Sequence, residues 1–170
     1  MIDLQANLPQ CHLKPGEIMI CQDARIVTTV LGSCVAVTMF SARFGLAAIC
    51  HAMLPEPRDS RSRDARDPDR FRYVTLAIPT MLAAFRVAGL DLSQVEVKLF
   101  GGASVMRSQQ GAALGPWVGQ ANVEMARALL REANLQPKAS NVGGHRGCKI
   151  LFHTGTGRVL HKHLAEPFRP

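Results

Sequence analysis

The sequence predicts an α+β fold in which a layered β core, a β-sandwich of stacked sheets, is flanked by two main helices. Segments rich in β-branched and small apolar residues outnumber helical patterns along the 170 residues, and short turns join several of them. Only two segments are convincing helices. A chain of this length that is 47% hydrophobic and 19% charged can build one sizeable core, so we expect a single domain over residues 1–170.

Four of the predicted strands lie in the first third of the chain. The first follows a Pro15-Gly16 turn. The four cover residues 13–21, 24–31, 34–40 and 45–54. At the two ends of the chain, residues 1–14 and 163–170 are expected to form peripheral tails.

The two predicted helices cover residues 71–88 and 120–134, where apolar residues recur with the spacing of one helical face. Pro79 lies inside the first pattern and predicts a kink or a later start. The stretch before this helix, residues 56–70, alternates arginine with aspartate and is expected to be an exposed charged loop.

The remaining strands follow the helices in the second half of the chain. A strand over residues 95–102 ends in the paired glycines Gly101 and Gly102. The segments 148–154 and 158–164 flank Gly155-Thr156-Gly157 and predict a closing hairpin.

The charge of the chain does not indicate a nucleic-acid-binding protein. The formal net charge is +7, but much of the excess arginine lies between aspartates, and only one Trp and one Tyr are present to stack on bases. No apolar stretch approaches the roughly 18 to 20 residues that span a bilayer. The first residues have no basic region leading into an apolar run, so we expect a cytoplasmic protein without direct membrane insertion.

The five cysteines do not form a recognisable metal or disulfide pattern. They are spread along the chain without a C-x-x-C pair, and a disulfide framework is not expected without an export signal. Cys50 and His51 are adjacent, but neighbours on a strand point to opposite faces. We therefore expect no metal site.

A predicted hairpin brings one cysteine and one histidine together. If the turn is centred on Ala42-Arg43, the numbers of cross-strand partners sum to 85, and Cys34 lies opposite His51. Directly opposed residues have Cβ atoms about 4.5 to 5.5 Å apart, which suits a thiol and an imidazole. A lone cysteine or histidine in a strand is more often a core or surface residue, and their opposition is what favours a catalytic pair.

Such a pair suits nucleophilic attack on a carbonyl group. An imidazole stabilises the thiolate and carries its proton. Gly32 and Ser33 come just before the cysteine, so their backbone N–H groups are candidates for stabilising an oxyanion. A hydroxyl group would orient the imidazole, and strand alternation leaves both Thr28 and Thr29 open as its source.

These residues carry a family resemblance. The segments TTVLGSCVAV and GLAAICHAMLP, followed by KLFGGASVM, VGQANVEMARALL and NVGGHRG, resemble the chemoreceptor glutamine deamidases of the CheD family. The resemblance covers most of residues 15–160. It implies a layered β fold related to glutamine-deamidating toxins, and an enzyme that converts receptor glutamine to glutamate without a cofactor.

The resemblance also assigns roles residue by residue. Cys34 corresponds to the nucleophile, His51 to the general base and Thr28 to the threonine that completes the triad. It places Gly101 and Gly102 near the rim of the active site. Asn122 is expected to cap the second helix or to bind substrate at that rim.

Two other functions are compatible with parts of the sequence. The resemblance includes binding to a chemotaxis phosphatase of the CheC type, which gives a non-catalytic binding regulator as the alternative. Because all three triad positions are filled, the sequence favours retained catalysis. A basic nucleic-acid module is the least favoured function, because aspartates lie between the arginines and few aromatic residues are present.

Overall fold

A computed structural model describes the protein over residues 7–58, 66–104 and 118–165. The strands in these ranges are β1 (Gln10–His12), β2 (Ile18–Cys21), β3 (Ile26–Leu31), β4 (Val35–Ser41), β5 (Leu46–Cys50), β6 (Glu96–Gly101), β7 (Ala139–Val142), β8 (Cys148–His153) and β9 (Val159–His163). The helices are α1 (Val74–Val87) and α2 (Val118–Glu132), with short 3-10 turns at Arg70–Arg72 and Leu92–Gln94.

The strands form two sheets. One has four strands in the order β1-β3-β8-β9, and the other has five in the order β2-β5-β4-β6-β7. β1 runs parallel to β3, and β6 runs parallel to β7. The remaining pairings in both sheets are antiparallel. Two helices beside two mostly antiparallel sheets make an α+β fold, which confirms the predicted class.

Two hydrophobic clusters hold the layers together. One lies between the sheets and includes Val27 of β3 and Ile49 of β5. The other lies between the five-stranded sheet and the helices and includes Val37 of β4, Cys50 of β5 and Met81 of α1. Because side chains alternate across a strand, β4 and β5 contribute to both clusters. Every residue of these two strands is accordingly buried.

The N-terminal segment differs from the expected tail. Gln10–His12 form β1, which pairs with Ile26–Thr28, and the following Leu13 is only 2% exposed in the cluster between the sheets. β1 and β7 are short strands that the sequence pattern did not reveal. At the other end, His163 is the last residue of β9, and residues 1–6 and 166–170 of the expected tails lie outside the described ranges.

The register of the β4–β5 hairpin differs from the prediction by two residues. Thr38 pairs with Ile49 and Phe40 with Ala47, so partner numbers sum to 87 and not to 85. The turn covers residues 42–45, because Gly45 adopts a left-handed conformation with φ of +59° and belongs to the loop. A shift of two residues keeps every side chain on its expected face.

The segment around the first helix agrees in part with the sequence pattern. α1 starts at Val74, after the 3-10 turn, and Pro79 lies inside it. Of the expected charged loop, residues 59–65 lie outside the described ranges. Beyond them, Asp67 and Asp69 form ion pairs with Arg72 at 3.6 and 3.9 Å.

The closing hairpin matches its prediction, since β8 and β9 pair across the turn that contains Gly155-Thr156-Gly157. No helix in the described part of the chain has the length and apolar character needed to cross a membrane.

Candidate active site

Cys34 lies at the entrance to β4, one residue before the strand begins. It is half-buried and packs at the end of the cluster between the two sheets. The last bonded pair of the hairpin joins Val35 and Ala52, whose backbone groups exchange two hydrogen bonds of 2.9 Å. The cysteine therefore lies one residue beyond the last bonded pair of the hairpin.

The loop that carries Cys34 is fixed by the end of β6. The carbonyl oxygen of Gly32 accepts a hydrogen bond from Ala103 N at 2.8 Å, and that of Cys34 accepts one from Gly102 N at 2.8 Å. Gly101 has a φ of +99°, and a Cβ atom there would overlap the Cys34 carbonyl oxygen. Glycine at this position permits the close approach of the two backbones.

The backbone N–H groups of Gly32, Ser33 and Cys34 donate to no other backbone group within the described residues. Backbone N–H groups next to a nucleophile are the usual donors to an oxyanion. The oxyanion role of Gly32 and Ser33 stays a prediction.

His51 directly follows β5 and is almost completely buried, with 2% of its surface exposed. Its backbone is anchored to the turn before β2, because His51 N donates to Glu17 O at 3.0 Å and its carbonyl accepts from Gly16 N at 2.8 Å. Its ring atom Nδ1 lies 2.7 Å from Oγ1 of Thr29, on β3 of the other sheet. The imidazole thus bridges the two sheets.

The hydrogen bonds of Thr29 define the tautomer of His51. The Thr29 hydroxyl donates its one proton to the Leu13 carbonyl oxygen at 2.8 Å, because that oxygen can only accept. Nδ1 of His51 must therefore donate to Thr29 Oγ1. In the neutral ring, Nε2 then carries a free lone pair, and it has no hydrogen-bond partner among the described residues.

The threonine that contacts the imidazole is thus Thr29, and not Thr28 as the family resemblance implies. Oγ1 of Thr28 lies 3.4 Å from Nδ1 of His12 and 3.4 Å from the Cys11 carbonyl oxygen. The reason is strand alternation: Thr29 points into the core with Val27 and is fully buried, whereas Thr28 points to the opposite face.

Burial controls the protonation of both candidate groups. It lowers the pKa of His51 to about 4, and the nearby Leu13 backbone offsets part of this effect. Burial also raises the pKa of the Cys34 thiol, partly offset by the backbone amide of the same residue. Desolvation disfavours the charged form of each group, so the resting pair at neutral pH is a thiol and a neutral imidazole.

Cys34 and His51 lie on the same face of the hairpin but not directly opposite each other. In the observed register, Ala36 lies across from His51, and Cys34 is its diagonal neighbour. Diagonal neighbours are about 7 to 8 Å apart, within reach of long side chains. The two side chains form no hydrogen bond with each other in the described structure, and such contacts often tighten only when substrate binds.

The residues expected at the rim have different positions. Gly101 is buried under the Cys34 loop, and Asn122 lies inside α2 with no exposed surface. Asn122 neither caps the helix nor faces solvent. Gly102 does line an open groove of about 620 Å³, formed with Ser104, Gln120, Val123, Glu124, Arg127, Val142, Gly143, Gly144 and His145.

Sequence reasoning missed the Leu13 carbonyl and left Thr29 undecided. Leu13 lies at the border of the expected tail. Thr28 and Thr29 are equally suited to a strand, so the sequence did not show which of the two faces the imidazole. A signal did exist for Asn122, because it falls on the apolar stripe of α2 that includes Val123 and Ala126. A polar residue on such a stripe is unusual and requires hydrogen-bond partners.

Cysteine-dependent hydrolases use a thiol and an imidazole base, and here a cysteine at a strand entrance shares a face with a buried imidazole whose Nε2 has no partner among the described residues. Residues 53–163 match the family model described as CheD chemotactic sensory transduction. Because this match spans well over half of the chain, the protein belongs to the CheD family.

Several curated proteins are similar over nearly the whole chain. The identity is 46% with the probable chemoreceptor glutamine deamidase CheD 2 of Geobacter sulfurreducens, covering 93% of this chain and 92% of that protein. It is 45% with the probable chemoreceptor glutamine deamidase CheD of Oleidesulfovibrio alaskensis, covering 93% and 74%. The corresponding protein of Nitratidesulfovibrio vulgaris is 38% identical, covering 92% and 78%.

Proposed function

We propose that this protein is a protein-glutamine deamidase that hydrolyses glutamine side chains of bacterial chemoreceptors to glutamate. Membership of the CheD family supports the reaction class, and the curated relatives are named probable chemoreceptor glutamine deamidases. The observation that carries the proposal is the hydrogen-bond chain from His51 through Thr29 to the Leu13 carbonyl. It leaves Nε2 of His51 as a buried base on the face that also bears Cys34.

The proposed reaction has two halves. In the first, Nε2 of His51 takes the thiol proton as Sγ of Cys34 attacks the side-chain carbonyl carbon of glutamine. The C–N bond then breaks, and the imidazolium gives that proton to the departing nitrogen, which leaves as ammonia. In the second half, His51 removes a proton from water and the hydroxide attacks the thioester carbonyl carbon. The C–S bond then breaks, the imidazolium returns its proton to Sγ of Cys34, and glutamate is released.

The surroundings of the pair support this division of roles. The neutral resting state means that the proton moves only as the sulfur attacks, so no separated charges are buried beforehand. The developing oxyanion is assigned to the backbone N–H groups of Gly32 and Ser33. Thr29 replaces Thr28 as the residue that orients the imidazole, because it is the one that contacts Nδ1.

The groove along α2 is the proposed place for the receptor segment. Gly102 lines it and also donates its N–H to the Cys34 carbonyl oxygen, so the groove adjoins the nucleophile loop. Its exposed walls include both Glu124 and Arg127, which suits a polar protein surface. The modified glutamines would belong to the cytoplasmic part of the receptor, which makes the cytoplasm the proposed location. Binding to a CheC-type phosphatase stays a prediction.

The test is mass analysis of a glutamine-bearing cytoplasmic receptor fragment after incubation with the protein. Wild type should convert specific glutamines to glutamate, and Cys34→Ala should convert none above background. Cys50→Ala is the matched control, because Cys50 lies in the same hairpin but faces the helices. This variant should retain the activity of wild type.

Two results would contradict the proposal. Equal conversion by wild type and Cys34→Ala would exclude Cys34 as the nucleophile. No conversion of any receptor fragment by folded wild-type protein would exclude receptors as its substrates, although labelling of Cys34 would still report on the reactivity of the pair.

A further inference from the structure

Asn122 is a fully buried polar residue on the apolar face of α2. It is the fifth residue of the helix, and its neighbours on that face are Gly119, Val123, Ala126 and Leu130, all of them buried. Placing an amide among such residues costs free energy unless its hydrogen bonds are formed. We therefore expect the buried amide of Asn122 to have specific hydrogen-bond partners.

The side-chain amide of Asn122 connects the two segments that carry the candidate catalytic pair. Its Nδ2 donates to the carbonyl oxygen of Ser33 at 3.0 Å and to that of Met53 at 2.9 Å. Ser33 immediately precedes Cys34, and Met53 lies two residues after His51. Both partners are carbonyl oxygens, which can only accept, so the NH2 group must face them.

These two contacts replace the strand ladder at the point where it stops. Val35 and Ala52 are the last residues of the hairpin that exchange backbone hydrogen bonds. Bonded and non-bonded pairs alternate along an antiparallel ladder. The next bonded pair in this register would therefore be Ser33 and Leu54, but Leu54 N donates to the Arg72 carbonyl oxygen instead. Asn122 bonds the carbonyl groups on both sides of this gap, so one planar NH2 group fixes the separation of the two segments.

The helix that supplies Asn122 packs closely against the end of β6. A Cβ atom on Gly119 would lie 2.6 Å from the Gly102 carbonyl oxygen, so the backbones of α2 and of the β6 end are in close contact. Gly102 in turn donates its N–H to the Cys34 carbonyl oxygen. The amide is thus attached to the same structure that supports the nucleophile loop.

We infer that Asn122 is a positioning residue, whose two N–H groups set the placement of Cys34 relative to His51. Its Oδ1 has no partner among the described residues, so the two donated hydrogen bonds are the interactions that offset the free-energy cost of burying this amide. An aspartate of the same shape would direct oxygen atoms at two carbonyl oxygens, and an alanine would leave both carbonyls unpaired. The catalytic meaning of this placement rests on the proposed function.

The test compares Asn122→Ala with wild type in two assays. In deamidation of the receptor fragment, we expect kcat to fall roughly ten- to a hundredfold with KM within about twofold, as for misplaced reacting groups. In the second assay, the rate at which iodoacetamide alkylates Cys34 is followed against pH. Its neutral-pH rate should fall and its profile should shift to higher pH, because the thiol loses the help of the imidazole.

Ala126→Gly is the matched control, since it weakens the same buried face of α2 one turn away without touching Ser33 or Met53. It should lower Tm but leave kcat and the alkylation profile unchanged. Asn122→Ser, which keeps one donor, serves as the second variant should Asn122→Ala not fold, and its kcat and alkylation rate should also fall below those of wild type.

The inference is overturned if a folded Asn122→Ala or Asn122→Ser protein has a lowered Tm but the kcat and alkylation profile of wild type. In that case the amide only stabilises the fold. The outcome for the proposed function is separate. If wild type deamidates no receptor while Cys34 alkylation still depends on Asn122, the positioning role stands and the proposed substrate is wrong.

Discussion

Cys34 and Cys50 belong to the same β-hairpin, but their surroundings differ in what nucleophilic chemistry requires. Cys50 is the last residue of β5, has no exposed surface and packs in the cluster under the helices. Burial raises the pKa of its thiol to about 11. Cys34 stands beyond the end of the ladder, is half-buried and lies on the other face.

The difference shows that the face of the strand on which a cysteine lies decides whether it is near the imidazole, and that closeness in sequence does not. Cys50 is adjacent to His51 in the chain, yet successive strand residues point to opposite faces, so the imidazole faces away from it. Cys34 is distant in sequence but shares the face of His51 through the hairpin. Nucleophilic chemistry requires a thiol that shares a face with the imidazole and lies at an accessible strand end, and Cys34 meets both requirements.

The largest expected effect is a difference in alkylation between these two thiols. With the native protein and limiting iodoacetamide at neutral pH, Cys34 should react at least about a thousandfold faster than Cys50, because a fully buried thiol reacts only through openings that cost several kcal/mol. Peptide mass mapping measures both sites in one sample. Comparable labelling of the two cysteines in folded protein would remove the distinction.

Much of this comparison follows from the sequence. The alternation of β4 and β5, the existence of both helices and the shared face of Cys34 and His51 were predicted, because strand and helix periods are local properties. The register was wrong by two residues, since nothing in SARFG showed that Gly45 would close a longer loop. The predicted face of each side chain was nevertheless correct, because a shift of two residues keeps each side chain on its face.

The parts that sequence could not supply depend on contacts between distant segments. The carbonyl of Leu13 reaches the site because β1 adds to the sheet edge beside β3, a parallel pairing between short strands without a local signal. The choice of Thr29 over Thr28 depends on which face of β3 meets the other sheet. The bonds of Asn122 to Ser33 and Met53 likewise require the packed helix.

The second expected effect is a pH-dependent loss of stability caused by His51, whose imidazole shares a face with Cys34. The pKa of His51 is about 4 in the folded protein, against about 6.5 when unfolded. The unfolded chain therefore binds more protons below pH 6.5, so this stability is complete above pH 6.5 and is lost as the pH falls towards 4. The total is about 3 kcal/mol, of which about 2 kcal/mol is lost by pH 5.

Urea unfolding of wild type and His51→Gln at pH 7.5 and pH 5 measures this contribution. Carboxylates such as Glu96, whose pKa is lowered by Lys138 and Lys98, also lose stability in acid, and their effect is common to both proteins. Wild type should lose about 2 kcal/mol more than His51→Gln between the two pH values. Equal losses would mean that His51 is not a buried neutral group.

The smallest expected effect separates the two threonines next to each other on β3. Thr29→Val removes the acceptor for Nδ1 of His51 and frees the ring to adopt the other tautomer, so kcat/KM for the receptor fragment should fall about tenfold. Thr28→Val, which changes only contacts with His12 and Cys11, should alter it less than about twofold. Both replacements keep the shape of the side chain, so each controls for the other. The reverse order of effects would return the orienting role to Thr28 and would require His51 to face it when substrate is bound.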